Sequence, residues 1–304
     1  MDIAFIGNFK PPYSTENDRK WSLLSLGVNV ITFQENETTA DNLLSIHPDA
    51  LFYSHTHDPS YNIQNLIEVF KTYKERGIPT ASVHLDRWAW LAREKDVGKE
   101  ATWFTQYQFM ADGSPEAEEM YTRLGLNWFY SGPGVIARDC YMAAPDPIRF
   151  PHEIVFVGSR GYHPEYPFRA TLVDWLAKTY GPRFGHYGPD GLGTLRGHDL
   201  NVLMATAKIV VGDSCFGGRP RYVSDRYYET RGRGGFLLHP ECDEIDGSGV
   251  GHYERENLKS LELQINYFLR DDRERELNRK DGFAWVRDHE TYTHRMKEIL
   301  EEIL

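Results

Sequence analysis

The chain has 304 residues, a length that predicts about two domains and a large buried core. Its formal net charge is −11, from 34 basic and 45 acidic residues, which argues against a general binder of nucleic-acid backbones. Only a local basic groove is compatible with that charge.

No targeting or membrane segment is expected. Met1 leads directly into an apolar run, without the basic segment of a signal peptide. No apolar stretch approaches the ~20 residues that span a bilayer. The three cysteines, Cys140, Cys215 and Cys242, lack the spacing of a metal site. Together these features predict a protein of the reducing cytoplasm.

The first half of the chain alternates short apolar runs with helical patterns. The predicted strands are 2–7, 28–33, 50–53, 79–85, a segment within 103–111 and one that starts at 128. The predicted helices are 15–26, with Thr15 as its cap, 63–76 and 115–124. Only Gly7 follows the first strand, so the glycine fingerprint of NAD-dependent enzymes is absent.

Three polar residues follow strands of this half and are candidate catalytic residues. They are Glu16, His55 and Asp86. His55 and His57 would point the same way on an extended chain, but no third metal ligand is evident, so no metal site is predicted. Asp86 has a second interpretation that is equally open, as the cap of the helix after it.

A proline-rich segment, 143–151, is the best linker, because the strand and helix pattern restarts after it. The strands predicted beyond it are 153–158, 184–187, 209–211 and 236–238. The helices are 167–179, 199–206, 224–230, 258–269, 271–280 and 291–304. The restart predicts two Rossmann-like α/β domains, 1–147 and 148–284, followed by a C-terminal helical segment, 285–304.

The stretch 207–240 concentrates the candidate binding residues. Five arginines fall between Arg219 and Arg233, and Glu229 lies on the short helix between two apolar strands. Ligands of such sheets lie beyond the carboxyl ends of the strands. An anion site beside a hydroxyl-binding carboxylate fits a nucleotide sugar. Arg160 and Arg169, after the first strand of this half, pair with a diphosphate or belong to a solvated helix face.

The same stretch resembles a known family. Ser224-Asp225-Arg226-Tyr227-Tyr228-Glu229, followed by the segment 234–238, is similar to the donor-site signature of group 1 glycosyltransferases with the GT-B fold. The spore-maturation-protein-like branch, of phage or actinobacterial type, is the nearest in pattern. The resemblance implies that Glu229 binds the donor ribose and that the last helix crosses back onto the first domain. Many members carry a second glutamate where this chain has Arg221.

The sequence and the resemblance together predict a metal-independent glycosyltransferase, a hexosyl- or pentosyltransferase, whose active site lies in the interdomain cleft. No cofactor is expected, and the co-substrate is a nucleotide-diphosphate sugar, with a UDP-sugar favoured. The predicted donor-binding residues are Arg160, Asp213, Arg219, Arg221, Arg226, Tyr227 and Glu229. The alternatives are a non-catalytic nucleotide-sugar-binding protein and a sugar epimerase of the same fold.

The acceptor is left open between a small molecule or glycan and a hydroxymethylated base in phage DNA. A basic path for DNA would use residues that flank the first and fourth strands, namely Lys10, Arg19, Lys20, Arg87, Arg93 and Lys95. The aromatic residues Tyr13, Trp88 and Trp90 would stack on an extruded base or on a sugar ring.

Overall fold

Two parallel β-sheets organise the chain, whose computed structural model describes residues 1–54, 63–161 and 163–304. The strands are β1 (Asp2–Gly7), β2 (Asn29–Gln34), β3 (Ala50–Tyr53), β4 (Thr80–His84), β5 (Tyr107–Met110), β6 (Trp128–Tyr130), β7 (Ile154–Val157), β8 (Phe184–Tyr187), β9 (Ile209–Val211), β10 (Leu237–Pro240) and β11 (Val250–Tyr253). The helices are α1 (Thr15–Ser25), α2 (Ala40–Leu44), α3 (Ile63–Glu75), α4 (Pro115–Leu124), α5 (Phe168–Tyr180), α6 (Gly197–Thr206), α7 (Arg226–Gly232), α8 (Leu258–Arg270), α9 (Asp272–His289) and α10 (Tyr292–Ile303).

The strand order is the same in both sheets over their first five strands. The first sheet runs β2-β1-β3-β4-β5-β6 and the second β11-β10-β9-β7-β8, and all their neighbours pair in parallel. In each sheet the first strand in sequence is therefore an inner strand. The second strand in sequence pairs on one side of it, and the later strands lie on the other side. This is the doubly wound Rossmann-like arrangement, and it confirms the predicted fold class.

Helices cover both faces of each sheet, which explains the nearly continuous apolar runs of the central strands. In the second sheet, Ile154 and Phe156 face one core with Ile209, while Val155 and Val210 face another. Among the described residues, no helix combines the length and the apolar character needed to cross a membrane.

The chain folds into two compact units, residues 1–132 with 292–304, and residues 133–291. The C-terminal helix α10 returns to the first unit, as the fold class predicted, and buries Met296, Ile299 and Ile303 with Phe5 and Phe52. The structure groups residues 133–147 with the second unit, whereas the sequence pattern assigned them to the first domain. The reason is that Val135 is fully buried in a second-unit cluster.

Three details of the helices differ from the predictions. Ser14 rather than Thr15 caps α1, since its hydroxyl accepts the N–H of Asn17 at 3.2 Å. The helix predicted over 271–280 continues to His289, because Val286 lies on its buried face and Gly282 fits closely against Arg231. The short helix α2 was not predicted; it depends on a capping box between Thr39 and Asn42.

Strand β11 was also not predicted. Its sequence, Val-Gly-His-Tyr, contains no apolar run, and it becomes a strand because it pairs in parallel with β10. Gly251 is required within it, since a β-carbon there would lie 2.8 Å from the rings of Phe236 and Phe268.

The entry into β11 gives a test of the packing in the second unit. Gly249 has a φ of +68°, and a β-carbon there would lie 2.1 Å from the carbonyl oxygen of Asn278 and 2.2 Å from the nitrogen of Gly282. These are backbone atoms that cannot move aside cheaply. We expect Gly249→Ala to lower the free energy of unfolding by about 2–5 kcal/mol, from overpacking and left-handed strain together.

Gly181→Ala is the matched control in the same unit. Gly181 also has a positive φ, +49°, but no atom lies within 4 Å of its added β-carbon. Only backbone strain then remains; at a ψ of −126° this position lies outside the left-handed helical region, and the strain is about 1–3 kcal/mol. Urea unfolding of the two variants measures the difference, and equal losses would contradict the packing described here.

Candidate functional site

Each sheet has one place where the strand order reverses. In the second unit β8 lies on one side of β7 and β9 on the other, and in the first unit β2 and β3 flank β1 in the same way. Loops that leave the two central strands diverge there, and open parallel sheets bind their ligands in the resulting crevice. We call these places the second-unit and first-unit switch points and describe them separately.

Asp213 is the centre of the second-unit switch point. It follows β9, and its side chain is fully buried. The carboxylate accepts a hydrogen bond from Tyr166 Oη at 3.0 Å and another from Arg169 Nε at 3.4 Å. Its backbone carbonyl accepts from Arg226 Nη1 at 2.8 Å. One aspartate therefore holds two guanidinium groups at the carboxyl ends of the strands.

Arg226 reaches this centre from the first turn of α7. Its Nε donates to the carbonyl of Val157, the last residue of β7, at 2.5 Å. Its Nη2 lies against Gly158, where a β-carbon would be only 2.3 Å away. Gly158 also has a φ of +127°, which side-chain-bearing residues rarely adopt. A glycine after β7 is therefore what lets the guanidinium occupy the crevice.

Two guanidinium groups and the buried Asp213 carboxylate meet at this switch point. Burial raises the pKa of Asp213 to about 6, although Arg169 and Tyr166 oppose the shift. Burial, and then the neighbouring Arg169, lower the pKa of Arg226 to about 10. At neutral pH both groups are ionised, so the two guanidinium groups share the buried carboxylate of Asp213, and Asp225 acts on Arg226 as well. This arrangement suits an anionic ligand.

Glu229 lies one turn after Arg226 on α7. Its Oε2 accepts a hydrogen bond from Arg233 Nε at 2.5 Å, and about a fifth of its side chain, 21%, is exposed. Arg233 is bound further by Asp139 at 3.1 Å and by Asn201 at 2.5 Å. Burial of the Glu229 carboxyl group raises its pKa, and Arg233 opposes that shift. Arg233 thus fixes the carboxylate, and part of the Glu229 side chain stays exposed.

A buried histidine supports this helix, and the sequence did not single it out. His239, in β10, lies 2.8 Å through Nδ1 from the carbonyl of Pro240, so Nε2 is left to accept from Ser214 Oγ at 3.0 Å. Ser214 Oγ in turn accepts the N–H of Ser224 at 2.9 Å, just before α7. Burial lowers the pKa of His239 to about 3, so the ring is neutral. The ring of Tyr227, which is fully buried, meets it edge-on at 5.0 Å.

The other predicted arginines make different contacts. The side chain of Arg160 pairs with Asp174 on α5, and its N–H donates to Asp190 at 3.0 Å. Arg221 Nε lies 3.3 Å from Glu244. The carbonyl of Arg219 accepts from the Cys242 thiol at 2.7 Å. The structure thus brings Asp213 and Arg226 together. It adds Arg169, for which the sequence suggested either a contact to the diphosphate or a place on a solvated helix face.

Glu16 occupies the first-unit switch point. It is 8% exposed and accepts a hydrogen bond from Ser54 Oγ, just after β3, at 3.0 Å. Arg19, which is buried, donates to the same hydroxyl at 3.1 Å. A β-carbon on Gly7, at the end of β1, would lie 2.7 Å from Glu16 Cγ. The absence of a side chain at Gly7 therefore leaves the space that the Glu16 side chain occupies.

Asp86 is the other predicted candidate of the first unit that the structure describes. Asp86 accepts from Arg93 Nη1 at 3.1 Å and is partly exposed. His55 lies outside the described residues. Glu35, which the sequence did not single out, is 1% exposed at the end of β2 and accepts from Tyr53 Oη at 3.1 Å. In the described part of the chain, no three His, Cys, Asp or Glu side chains converge as metal ligands.

Residues 168–301 match a protein-family model described as glycosyl transferase-like. This segment contains Arg169, Asp213, Arg226 and Glu229, and it begins after β7 and Tyr166. No protein of curated function matches the sequence.

Solved structures share the fold over the whole chain. HepE from Anabaena, solved in complex with UDP, is 13% identical over 99% of both chains, with a TM-score of 0.66. Sucrose-phosphate synthase from Thermosynechococcus elongatus is 13% identical over 99% of this chain and 98% of its own, with a TM-score of 0.59. A UDP-forming trehalose-phosphate synthase from Burkholderia vietnamiensis is 10% identical over 99% and 96%, with a TM-score of 0.64. The chain therefore has the GT-B fold, and its second half resembles glycosyl transferases in sequence.

Proposed function

We propose that the protein transfers a sugar from a nucleoside-diphosphate sugar, a UDP-sugar in the first instance, to an acceptor hydroxyl. The observation that carries this proposal is the pair of guanidinium groups, Arg169 and Arg226, held by Asp213 at the second-unit switch point. Glu229 follows on the same helix as Arg226, one turn later. HepE, which shares the fold, was solved with UDP bound, and this supports the choice of nucleotide.

Each group of the second-unit switch point has a role in this reaction. Arg169 and Arg226 bind the diphosphate, and Glu229 accepts a hydrogen bond from a ribose hydroxyl. As the bond between the anomeric carbon and the diphosphate oxygen breaks, negative charge grows on the diphosphate. The two guanidinium groups stabilise that charge in a crevice where they are already fixed in place. They supply the positive charge that other transferases take from a metal ion, so we propose a metal-independent enzyme without a cofactor.

Glu16 is our candidate for the base. In the proposed reaction the acceptor oxygen forms a bond to the anomeric carbon and passes its proton to Glu16. Ser54 donates a hydrogen bond to this carboxylate and accepts one from Arg19, at the carboxyl ends of β1 and β3. We keep Asp86 and His55 as second choices for this role, since both follow strands of the same sheet.

The proposed acceptor is a small molecule or a glycan rather than DNA. The basic path suggested by the sequence loses two members in the structure, because Arg19 is 1% exposed and Arg87 is fully buried beside Asp112. Arg93 is paired with Asp86, and Trp88 is buried. A hydroxymethylated base in DNA therefore has fewer exposed cations to hold its backbone than the sequence suggested.

The finer assignments also remain proposals. We propose that the protein belongs to the spore-maturation-protein-like branch, of phage or actinobacterial type, and acts as a hexosyl- or pentosyltransferase in the cytoplasm. The branch is supported by residues 224–229 and 234–238, which resemble its donor signature, and the location by the sparse cysteines.

Glu229→Gln tests the ribose contact. The variant keeps the shape of the side chain but removes its charge, and Arg233 retains Asp139 as a partner. We expect the affinity for UDP to fall about 10- to 150-fold, the equivalent of one charge-assisted hydrogen bond. Isothermal calorimetry measures the change. Glu276→Gln, on the exposed side of α9, is the control, and an unchanged affinity in a folded E229Q protein would refute the role.

Arg226→Lys tests the diphosphate contact. Lysine keeps the charge but cannot donate at once to Val157, Asp213 and a phosphate, because it lacks the planar fork. We expect about a 10- to 150-fold loss of affinity for both UDP and inorganic diphosphate. Arg183→Lys, at an exposed pair with Glu153, should leave both affinities as they are. If the two variants behave alike, Arg226 does not bind the diphosphate.

A chelator tests the proposal that arginine replaces a metal. We expect UDP to bind with the same affinity in EDTA and in magnesium, and release of UDP from a UDP-sugar to continue in EDTA. Calorimetry gives the first quantity and chromatography the second. Turnover that stops in EDTA and returns with manganese or magnesium would show that the leaving diphosphate depends on a cation.

A further inference from the structure

The loop after β9 contains a strained aromatic residue. The N–H of Gly217 donates to the carbonyl of Ser214 at 2.8 Å, so residues 214–217 form a turn. Phe216 is the third residue of this turn and has a φ of +53°. That position with positive φ is ordinarily filled by glycine or asparagine, and a bulky side chain there is an outlier. Two glycines, Gly217 and Gly218, follow directly, yet the strained position is occupied by phenylalanine.

The ring of Phe216 is tied to the centre of the second-unit switch point. It lies against the ring of Tyr166, with centroids 5.4 Å apart and planes inclined by 51°. The hydroxyl of Tyr166 donates to the carboxylate of Asp213 at 3.0 Å. Asp213 is the residue that holds Arg169 and Arg226. The aromatic pair is therefore connected to the two guanidinium groups through Tyr166 and Asp213.

Phe216 is also only half-buried, whereas Asp213, Ser214 and Cys215 before it are buried. Strain of this kind persists where the surrounding structure enforces it, and such residues concentrate at ligand sites. An apolar ring that is strained and partly exposed beside an anion site has a chemical partner in a nucleotide, whose base is planar and joined to the phosphates.

We propose that Phe216 is the stacking surface for the nucleoside base of the donor and so helps to determine which nucleotide is bound. This inference rests on the proposed function, because it assigns a second part of the donor to the same switch point. Arg169 and Arg226 take the diphosphate, Glu229 takes the ribose, and Phe216, supported by Tyr166, takes the base.

The test separates the base from the phosphates by using UDP and inorganic diphosphate as probes. Phe216→Gly removes the ring and relieves the positive φ, so the melting temperature should be unchanged or higher. Affinity for UDP should fall about 5- to 150-fold, the range for loss of one stacked base. Affinity for inorganic diphosphate should stay the same. Phe216→Tyr, which keeps the ring, should bind UDP as the unchanged protein does, and Phe216→Leu should behave like Phe216→Gly.

Other outcomes overturn the inference in distinguishable ways. If Phe216→Gly binds UDP as tightly as the unchanged protein, the ring does not touch the nucleoside. If UDP affinity is unchanged but UDP-glucose binds more weakly, the ring contacts the sugar instead. A joint loss of UDP, inorganic diphosphate and thermal stability would give Phe216 a purely structural role. If the unchanged protein binds none of UDP, dTDP, CDP, ADP and GDP, the proposed function itself fails, and this inference fails with it.

Discussion

The buried carboxylate of Asp213 is the constraint on which the second unit depends. A carboxylate removed from water is costly unless charged partners and hydrogen bonds compensate it, and here Tyr166, Arg169 and the nearby Arg226 do so. The same bonds determine where the arginines point. Because both guanidinium groups are already desolvated and bound, a phosphate that arrives there meets donors that need no rearrangement. The hydrogen bonds that compensate the buried charge of Asp213 are thus the same bonds that preorganise the arginines for a phosphate.

A second set of hydrogen bonds fixes the turn after β9 and the start of α7 to the sheet. His239 links β10 to Ser214, and Ser214 links the turn after β9 to the start of α7. Gly212 leaves room for the histidine, since a β-carbon there would lie 2.9 Å from its ring. The neutral ring adds no charge beside the two arginines, which suits a support that must not repel them. The turn and the helix are therefore both bonded to the sheet through Ser214 and His239.

Sequence patterns predicted the fold well because buried parallel strands are nearly continuous apolar runs, as in Ile209-Val210-Val211. They also placed Asp213 and Glu229 next to strands. They placed Arg160 and not Arg169 among the donor-binding residues, since only the three-dimensional structure shows that the Arg169 guanidinium is the one that reaches Asp213. His239 was missed because it lies within an apolar strand, where a histidine gives no periodic signal. Strand β11 was missed because only its pairing with β10 makes it a strand.

The return of α10 to the first unit makes the second unit an insertion. The chain enters and leaves that unit side by side, where Val135 forms a β-bridge with Thr291. The first unit lacks Met296, Ile299 and Ile303 until residues 292–304 have been made. On the ribosome, residues 1–132 therefore emerge with one face of their sheet only partly covered, by α1, whereas residues 133–291 are complete before the first unit is. The order in which the units are completed is then the reverse of the usual N-terminal-first order of multidomain chains. A product shortened by its last helix would carry a finished second unit on an unfinished first one.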